Sequence, residues 1–327
     1  MLNYIIRRAG YAFVTLIFVA ILGFVIIELP PGTYLDFRLR ELRTMGGDMS
    51  LDQIASLEQR YGVNDPVLVK FWKWFSNFVQ GDFGWSFRYE RDVGELLGAR
   101  LGYTLMIAIT ALIVSWVVSI FVGVYSATHR YTLADYGITF LQFVGLSVPG
   151  FLLALVLMVF AQRALGMQVG GLFSASFRDE AWSWAKFVDL LGHLWIPVIV
   201  VGASSTAWLS RVMRGNLLDV LNQQYVQTAR SKGLAEPKVI WKHAVRNALH
   251  PLVMVFGMSF PGIISGQTVI SIVLNLPTAG PLFINALLQQ DMYLAVTFLM
   301  FQAILLVIGN LIADVVLAWL DPRIQFE

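Results

Sequence analysis

The chain has 327 residues, of which 57% are hydrophobic and only 13% are charged, and its formal net charge is +2. A soluble domain carries about 25% charged residues, so this composition excludes an ordinary soluble protein and indicates an integral membrane protein. No cysteine is present, which excludes a disulfide, a cysteine-ligated zinc ion and a thiol nucleophile.

The first apolar run extends from Tyr11 to Ile27 and follows Arg7 and Arg8. It is longer than the roughly 7–15 residues of a signal-peptide core, and it lacks an Ala-x-Ala cleavage site. We therefore predict a retained transmembrane helix within residues 1–30, with its N-terminus in the cytoplasm.

Residues 31–100 are more polar and are predicted to form a helical extracytoplasmic insertion between the first two spans. Ser50–Gln53 is typical of a capping box and predicts the start of a short helix. Asp65-Pro66 predicts the start of a second helix, on which Trp72 and Trp74 are expected at the level of the lipid headgroups.

Residues 101–327 are predicted to form a core of five further transmembrane helices, because each apolar run approaches or exceeds the roughly 20 residues that cross a bilayer. An external re-entrant or interfacial segment is expected before the last span. The predicted spans are Tyr103–Ala127, Tyr136–Gln162 with a kink at Pro149, a short Leu194–Ser210 with Pro197 in its first turn, Leu249 to about Leu274, and Met292–Leu320.

The distribution of positive charge predicts the orientation of these spans, because short cytoplasmic loops are enriched in lysine and arginine. Six spans place both termini on the same side. The cytoplasmic set is Arg7, Arg8, Arg130, Arg211, Arg214, Arg230, Lys232, Lys238, Lys242, Arg246 and Arg323, whereas the short outer loops hold Arg163, Arg178 and Lys186. Both termini are therefore expected in the cytoplasm.

Polar residues within the spans, together with Pro149, are the candidates for lining a pathway. The polar residues either contact a solute or join helices by hydrogen bonds, and the sequence favours neither, whereas Pro149 is a candidate bend in a moving helix. The set is Gln142, Ser147, Pro149, Ser259, Gln267 and Ser271. Asp314 near the end of the last span is expected to face other helices, a basic inner residue such as Arg211, or water, because an ionised carboxylate in lipid costs about 2.5–3.5 kcal/mol.

The sequence contains no recognisable motif for ATP hydrolysis or metal binding. There is no Gly-x-x-x-x-Gly-Lys-Ser/Thr phosphate loop, and the four histidines, His129, His193, His243 and His250, form no His-x-x-x-His pair. No catalytic residue, metal site or nucleic-acid site is predicted, and the chain is not expected to be an enzyme.

A polar, basic stretch separates the fourth and fifth spans, with the sequence QYVQTARSKGLAEPKVIWKHAVRNALHP over Gln224–Pro251. The apolar spacing on each side of Gly233 predicts two short amphipathic helices that are bent at this glycine. Pro237 suits the first turn of the second helix, where its missing N–H would have no partner. A solvated basic loop is the simpler interpretation.

This stretch resembles the cytoplasmic "EAA" loop of bacterial binding-protein-dependent ABC importer permeases. The Glu-Ala-Ala triplet of that family is replaced here by Gln227, Thr228 and Ala229, while its glycine is Gly233 and its later proline is Pro251. The dipeptide/oligopeptide branch is the most similar. The segments that carry this similarity are Tyr225–Gly233, Gly81–Phe87, Gly145–Leu155 and Leu320–Ile324.

The resemblance implies a type I permease fold with six transmembrane helices and an ATPase-coupling loop within residues 215–250. The residues implied in coupling are Tyr225, Gln227, Thr228, Ala229, Arg230, Lys232, Gly233, Leu234, Glu236, His243 and Arg246. The implied partners are a second, homologous permease in a heterodimer, two cytoplasmic ATPase subunits that hold ATP and Mg²⁺, and an extracytoplasmic solute-binding protein.

The resemblance further implies a bacterial inner-membrane protein that forms half of a pathway for peptides or oligosaccharide-like solutes. Where peptide permeases commonly have a glutamate, this chain has Ser271. The alternative hypothesis is a self-sufficient ion-coupled carrier or channel that uses Asp314.

Overall fold

The computed structural model describes residues 2–29, 43–44, 65–167 and 170–320. Apart from one two-stranded hairpin, the regular structure in these ranges is helical, which confirms the predicted all-α fold. The capping box at Ser50–Gln53 and the tail 321–327 lie outside the described residues.

The elements are numbered in chain order. The hairpin strands are β1 (Trp85–Ser86) and β2 (Arg91–Asp92), which pair antiparallel. The helices are α1 (Leu2–Glu28), α2 (Val67–Val79), α3 (Val93–Thr128), α4 (Leu133–Ser147), α5 (Gly150–Leu165), α6 (Trp184–Leu221), α7 (Gln224–Ser231), α8 (Glu236–Lys238) with the π-helix Val239–Ala244, α9 (Val245–Ala248), α10 (His250–Val273), α11 (Ala279–Leu288) and α12 (Met292–Leu320).

Four helices among the described residues are long and apolar enough to cross a membrane, namely α1, α3, α6 and α12. The pair α4 and α5 passes the same test when taken together and would be a fifth span. Helix α10 has 24 residues, which exceeds the roughly 20 that a span requires. The count of six spans stays a prediction.

The predicted third span is wrong as a single kinked helix. Helices α4 and α5 meet at 110°, and the two residues between them are extended: Val148 has φ −83° and ψ 121°, and Pro149 has φ −58° and ψ 135°. A proline disfavours helical backbone in the residue before it. The chain therefore breaks at Val148-Pro149 instead of losing one hydrogen bond inside a helix.

The predicted fourth span is too short. Helix α6 has 38 residues and is about 57 Å long at 1.5 Å per residue. It begins after Ser183, whose side chain accepts a hydrogen bond from the Lys186 amide. Pro197 lies inside the helix and not in its first turn, and the helix continues past Arg211 and Arg214 to Leu221.

The first compact unit comprises the described residues of Met1–Gly102 and Thr278–Leu305. Its aromatic core is centred on Trp74, which is 1% exposed and whose ring lies 6.0 Å from Phe24 and 5.4 Å from Phe78, centroid to centroid. Trp74 is therefore packed inside this unit, whereas Trp72 on the opposite face is 62% exposed, and the position of both at the headgroup level stays a prediction.

The second unit comprises the described residues of Tyr103–Pro277 and Leu306–Glu327. Its helices α3 and α6 approach closely through small residues at four-residue intervals, which are Ser115, Ser119 and Gly123 on α3 and Gly202, Thr206 and Ser210 on α6. Ser115 Oγ donates to the Gly202 carbonyl at 3.2 Å, and Ser119 Oγ donates to the Thr206 carbonyl at 3.1 Å. Small residues that allow such contact are typical of membrane helix pairs.

The close approach makes Gly123 intolerant of a side chain. A Cβ atom there would lie 2.7 Å from Met213 Cβ and 2.8 Å from the Ser210 carbonyl oxygen. We expect Gly123→Ala to destabilise the protein by about 1–3 kcal/mol, as overpacking does. Gly98→Ala on the same helix, where nothing lies within 4 Å, should be neutral or stabilising. Thermal unfolding of the two variants in detergent tests this, and equal midpoints would contradict the tight α3–α6 contact.

Candidate functional site

The segment between α6 and α10 forms two short helices, as predicted. The first is α7, and the second begins at Glu236 with Pro237 in its first turn and continues to Ala248. Gly233 lies between them with φ +73°, a left-handed conformation that favours glycine. This segment, residues 222–249, is called the inner loop below.

The inner loop is packed onto the ends of α3 and α6 by one apolar cluster. Val226, Val239 and Ala244 on the loop are each 0% exposed. The full cluster is Val124, Ala127, Leu209, Met213, Leu217, Val226, Ala229, Val239, Ala244, Val245, Ala248 and Leu252. Since protein interiors are close-packed, the loop, α3 and α6 share one packed contact.

Side-chain hydrogen bonds reinforce this packing. Asn247 Nδ2 donates to Tyr225 Oη at 2.6 Å and so joins the two loop helices. Gln227 Nε2 donates to the Leu221 carbonyl at 3.1 Å, which is the last residue of α6. The loop is therefore fixed to itself and to the helix that precedes it.

An ion pair crosses the bend at Gly233. Arg230 Nη2 donates to Glu236 Oε1 at 2.6 Å, and Arg230 Nε lies 3.1 Å from Oε2. The Arg230 guanidinium lowers the pKa of the Glu236 carboxyl below its ordinary value. Both side chains are at least a third exposed, so the pair contributes at most about 1 kcal/mol, but its bidentate geometry fixes the angle between the helices.

All eleven coupling residues implied by the resemblance lie in this one segment, and most of them are accessible. Ala229 is buried, and Arg230, Leu234 and His243 are half-buried. The exposed members are Tyr225, Gln227, Thr228, Lys232, Gly233, Glu236 and Arg246. The second loop helix also contains the π-helical stretch Val239–Ala244, and such stretches occur frequently at functional sites.

A buried charge cluster near the same end of α6 was missed by sequence reasoning. Asp135 accepts from Arg214 Nη2 at 2.8 Å, from Arg214 Nε at 3.1 Å and from the Tyr131 amide at 2.9 Å. It also accepts from the Ser126 hydroxyl. The Asp135 side chain is 3% exposed. The cluster joins α3, α4 and α6. The sequence signal that could have pointed to Asp135 was the helix start Thr132-x-x-Asp135, in which Thr132 is the N-cap.

The structure does not bring the six pathway candidates together. Gln142 lines a cleft of about 400 Å³ between α3, α4 and α6, where its Nε2 donates to Ser210 Oγ at 2.9 Å. Ser147 and Pro149 are exposed at the α4–α5 break. Gln267 and Ser271 are 1% and 0% exposed. They line neither this cleft nor the second cavity described next.

Ser259 lines a second, more polar cavity of about 330 Å³ in the same unit. Its remaining polar and glycine lining was not anticipated from the sequence, and consists of Gly150, Ser204, Ser205, Gly262 and Gly266. The serine hydroxyl oxygens suit a solute that offers amide or hydroxyl hydrogen bonds.

The Gly81–Phe87 segment has a structural role in the first unit. Ser86 Oγ donates to Asp291 Oδ2 at 2.5 Å, and the Arg88 amide donates to the same oxygen at 3.2 Å. Gly84 has φ +81°, and a Cβ atom at this residue would lie 3.0 Å from the Tyr293 ring. The motif thus holds the β1–β2 hairpin against the start of α12, and Asp291, which is 0% exposed, was missed because it lies 205 residues away from Ser86.

The Asp291 carboxyl gives this unit a pH dependence. Burial raises its pKa above the ordinary value of 3.8, although hydrogen bonds from Ser86 and Arg88 oppose the shift. A carboxyl with a raised folded-state pKa contributes stability that is present below its unfolded pKa and is lost as the pH rises through the folded value. We expect the thermal midpoint to fall as the pH is raised from 4 and Asp291→Asn to remove this component. An identical pH profile in the variant would contradict the assignment.

Comparison with known proteins agrees with this geometry. Residues 119–326 match the family described as binding-protein-dependent transport system inner membrane component, and residues 1–108 match the N-terminal model of the same transport systems. The oligopeptide transport system permease protein AppB of Bacillus subtilis (strain 168) is 38% identical over 331 residues, covering 100% of both chains.

Two further relatives come from Salmonella typhimurium (strain LT2). The glutathione transport system permease protein GsiC is 31% identical over 328 residues, and the oligopeptide transport system permease protein OppB is 29% identical over 330 residues, each covering 100% of both chains. The chain therefore belongs to the binding-protein-dependent transport system inner membrane components: it is a permease subunit of an ABC importer and not an enzyme, with ATP hydrolysis in separate subunits.

Proposed function

We propose that this permease couples ATP hydrolysis to solute movement through its inner loop. The supporting observation is the single apolar cluster that joins the loop to α3 and α6. A loop seated in an ATPase subunit would be moved by ATP-driven closure of the ATPase subunits. It would then tilt α3 and α6, because the contact between the loop and these helices is close-packed. The inner loop would then act as one rigid wedge.

We infer that the solute is a short peptide, in keeping with the oligopeptide and glutathione systems named for the relatives. The cavity at Ser204, Ser205 and Ser259 offers hydroxyl oxygens that can accept hydrogen bonds from the amide N–H groups of such a solute. Oligosaccharide-like solutes, which offer hydroxyl groups, are the alternative class. Specificity would reside largely in the solute-binding protein.

The proposed assembly contains a second homologous permease that completes the path, two ATPase subunits that hold ATP and Mg²⁺, and an extracytoplasmic binding protein. Both termini would lie in the cytoplasm, because the inner loop carries the exposed lysines Lys232, Lys238 and Lys242 and positive loops remain inside. The long polar segment 31–100 would then face outward.

Reconstitution of the four kinds of subunit in vesicles tests this function. Uptake of a labelled short peptide should require ATP in the compartment of the ATPase subunits and loaded binding protein on the other side. The alternative is a carrier that uses Asp314. Uptake by this chain alone under an ion gradient, lost in Asp314→Asn, would establish that alternative and overturn the coupling function.

A further inference from the structure

The charge of the inner loop indicates the chemistry of the surface that receives it. Between Asn222 and Leu249 the only acidic residue is Glu236, against five lysines and arginines. The Glu236 carboxylate is engaged on both oxygens by Arg230. The one acid of the loop is therefore already neutralised within the loop, and the next acidic residues along the chain are Asp219 and Asp291.

The remaining exposed positive charge of the loop is carried by Arg246 and three lysines. Lys232 lies beside the bend, and Lys238 and Lys242 lie four residues apart on the second loop helix, a spacing that places them on one face. Val239 and Ala244 on the same helix are buried in the apolar cluster that includes residues of α3 and α6. The accessible side of the loop is consequently a positively charged surface.

Gln227 adds no acidic group to this surface. Its amide donates to the Leu221 carbonyl at 3.1 Å, a hydrogen bond that an ionised carboxylate cannot donate. The position is thus used to hold α7 against α6, and it offers no negative charge to a partner.

We propose that the groove of the ATPase subunit that receives this loop is lined by carboxylates, which pair with Lys232, Lys238 and Lys242. The inference rests on the proposed coupling function. A groove with cationic residues would meet a surface that has no uncommitted acid, and like charges at an interface cost several kcal/mol. The carboxylate-lined groove therefore supplies partner selection as well as attachment.

Carbodiimide crosslinking of the assembled transporter tests the proposal, because this reagent joins lysine amines to carboxylates that are in contact. The wild-type complex should give crosslinks from Lys238 or Lys242 to aspartate or glutamate of the ATPase subunit. The matched Lys238→Arg, Lys242→Arg variant keeps the charge and should retain the ATPase subunits but lose the crosslinks. Charge reversal by Lys238→Glu with Lys242→Glu should weaken association about tenfold or more at low salt, since screening is then weakest.

The outcomes separate the proposal from the function on which it rests. A complex that retains its ATPase subunits without any such crosslink, or that tolerates charge reversal, would overturn the acidic groove while leaving coupling intact. A reversal effect that appears only in vesicles of anionic lipid, and equally in Arg130→Glu outside the loop, would assign the lysines to lipid headgroups. If the proposed coupling function is itself wrong, Gly233→Pro will leave transport unchanged.

Discussion

Gly233→Pro is expected to abolish the stimulation of ATP hydrolysis by loaded binding protein while leaving membrane insertion unchanged. Proline fixes φ near −65°, whereas Gly233 has φ +73°. The substitution also removes the Gly233 amide that donates to the Arg230 carbonyl at 2.9 Å. The two loop helices would have to change direction, and the Arg230–Glu236 pair across the bend would be lost. We expect the stimulated rate to fall about tenfold or more, since a misfit of 1.4 kcal/mol already corresponds to tenfold.

Two further variants at Gly233 show whether the effect arises from the backbone. No atom would lie within 4 Å of a Cβ at this position, so alanine introduces no clash and costs only the roughly 1–2 kcal/mol of a left-handed L-residue. Asparagine tolerates this conformation better than alanine. Stimulation should therefore decrease in the order Gly, Asn, Ala, Pro. Full stimulation in the proline variant, or equal loss in all three, would refute the role of the bend.

Arg214→Ala is expected to have the largest effect on stability. It leaves the Asp135 carboxylate, whose side chain is 3% exposed, without its cation. Removal of one partner of a buried ion pair costs about 3–5 kcal/mol. The thermal midpoint of the purified chain in detergent should therefore fall, and the amount of protein in the membrane should decrease with it.

The matched control is Arg211→Ala on the same helix. The Arg211 guanidinium lies 5.7 Å from the Phe143 ring centroid, and the residue is exposed, so its removal should change the midpoint little. Combining Asp135→Asn with Arg214→Met removes both charges and should restore most of the loss. If the two arginine variants are equally stable, the buried pair is not a stabilising contact.

The two prolines in long apolar runs show what sequence periodicity can and cannot establish. Both runs were recognised as spans, yet the chain breaks at Pro149 and continues through Pro197. Ile196 and Val198, the neighbours of Pro197, are 1% and 7% exposed, so packing holds the helix through the proline. Ser147 and Pro149 are exposed, and no such packing opposes the local preference for extended backbone.

The inner loop was predictable because its signals are local. Apolar spacing, one glycine and one proline lie within a few residues of each other and fix both helices and the bend. The ionic contacts were not predictable, because Arg214 and Asp135 are 79 residues apart and no periodicity links them. The π-helical stretch Val239–Ala244 likewise depends on how the loop packs on α6.

Site-specific crosslinking tests most directly whether the inner loop seats in an ATPase subunit. The chain contains no cysteine, so a single cysteine can be introduced without any background. Ser231→Cys lies on the exposed side of the loop, and Ala175→Cys is an exposed control in the segment before α6. A maleimide that carries a benzophenone, attached to each cysteine in turn and irradiated, should join the ATPase subunit to residue 231 and not to residue 175, with a yield that changes on ATP binding. Crosslinking from residue 175 in place of residue 231, or none from the loop in an active transporter, would contradict the coupling function.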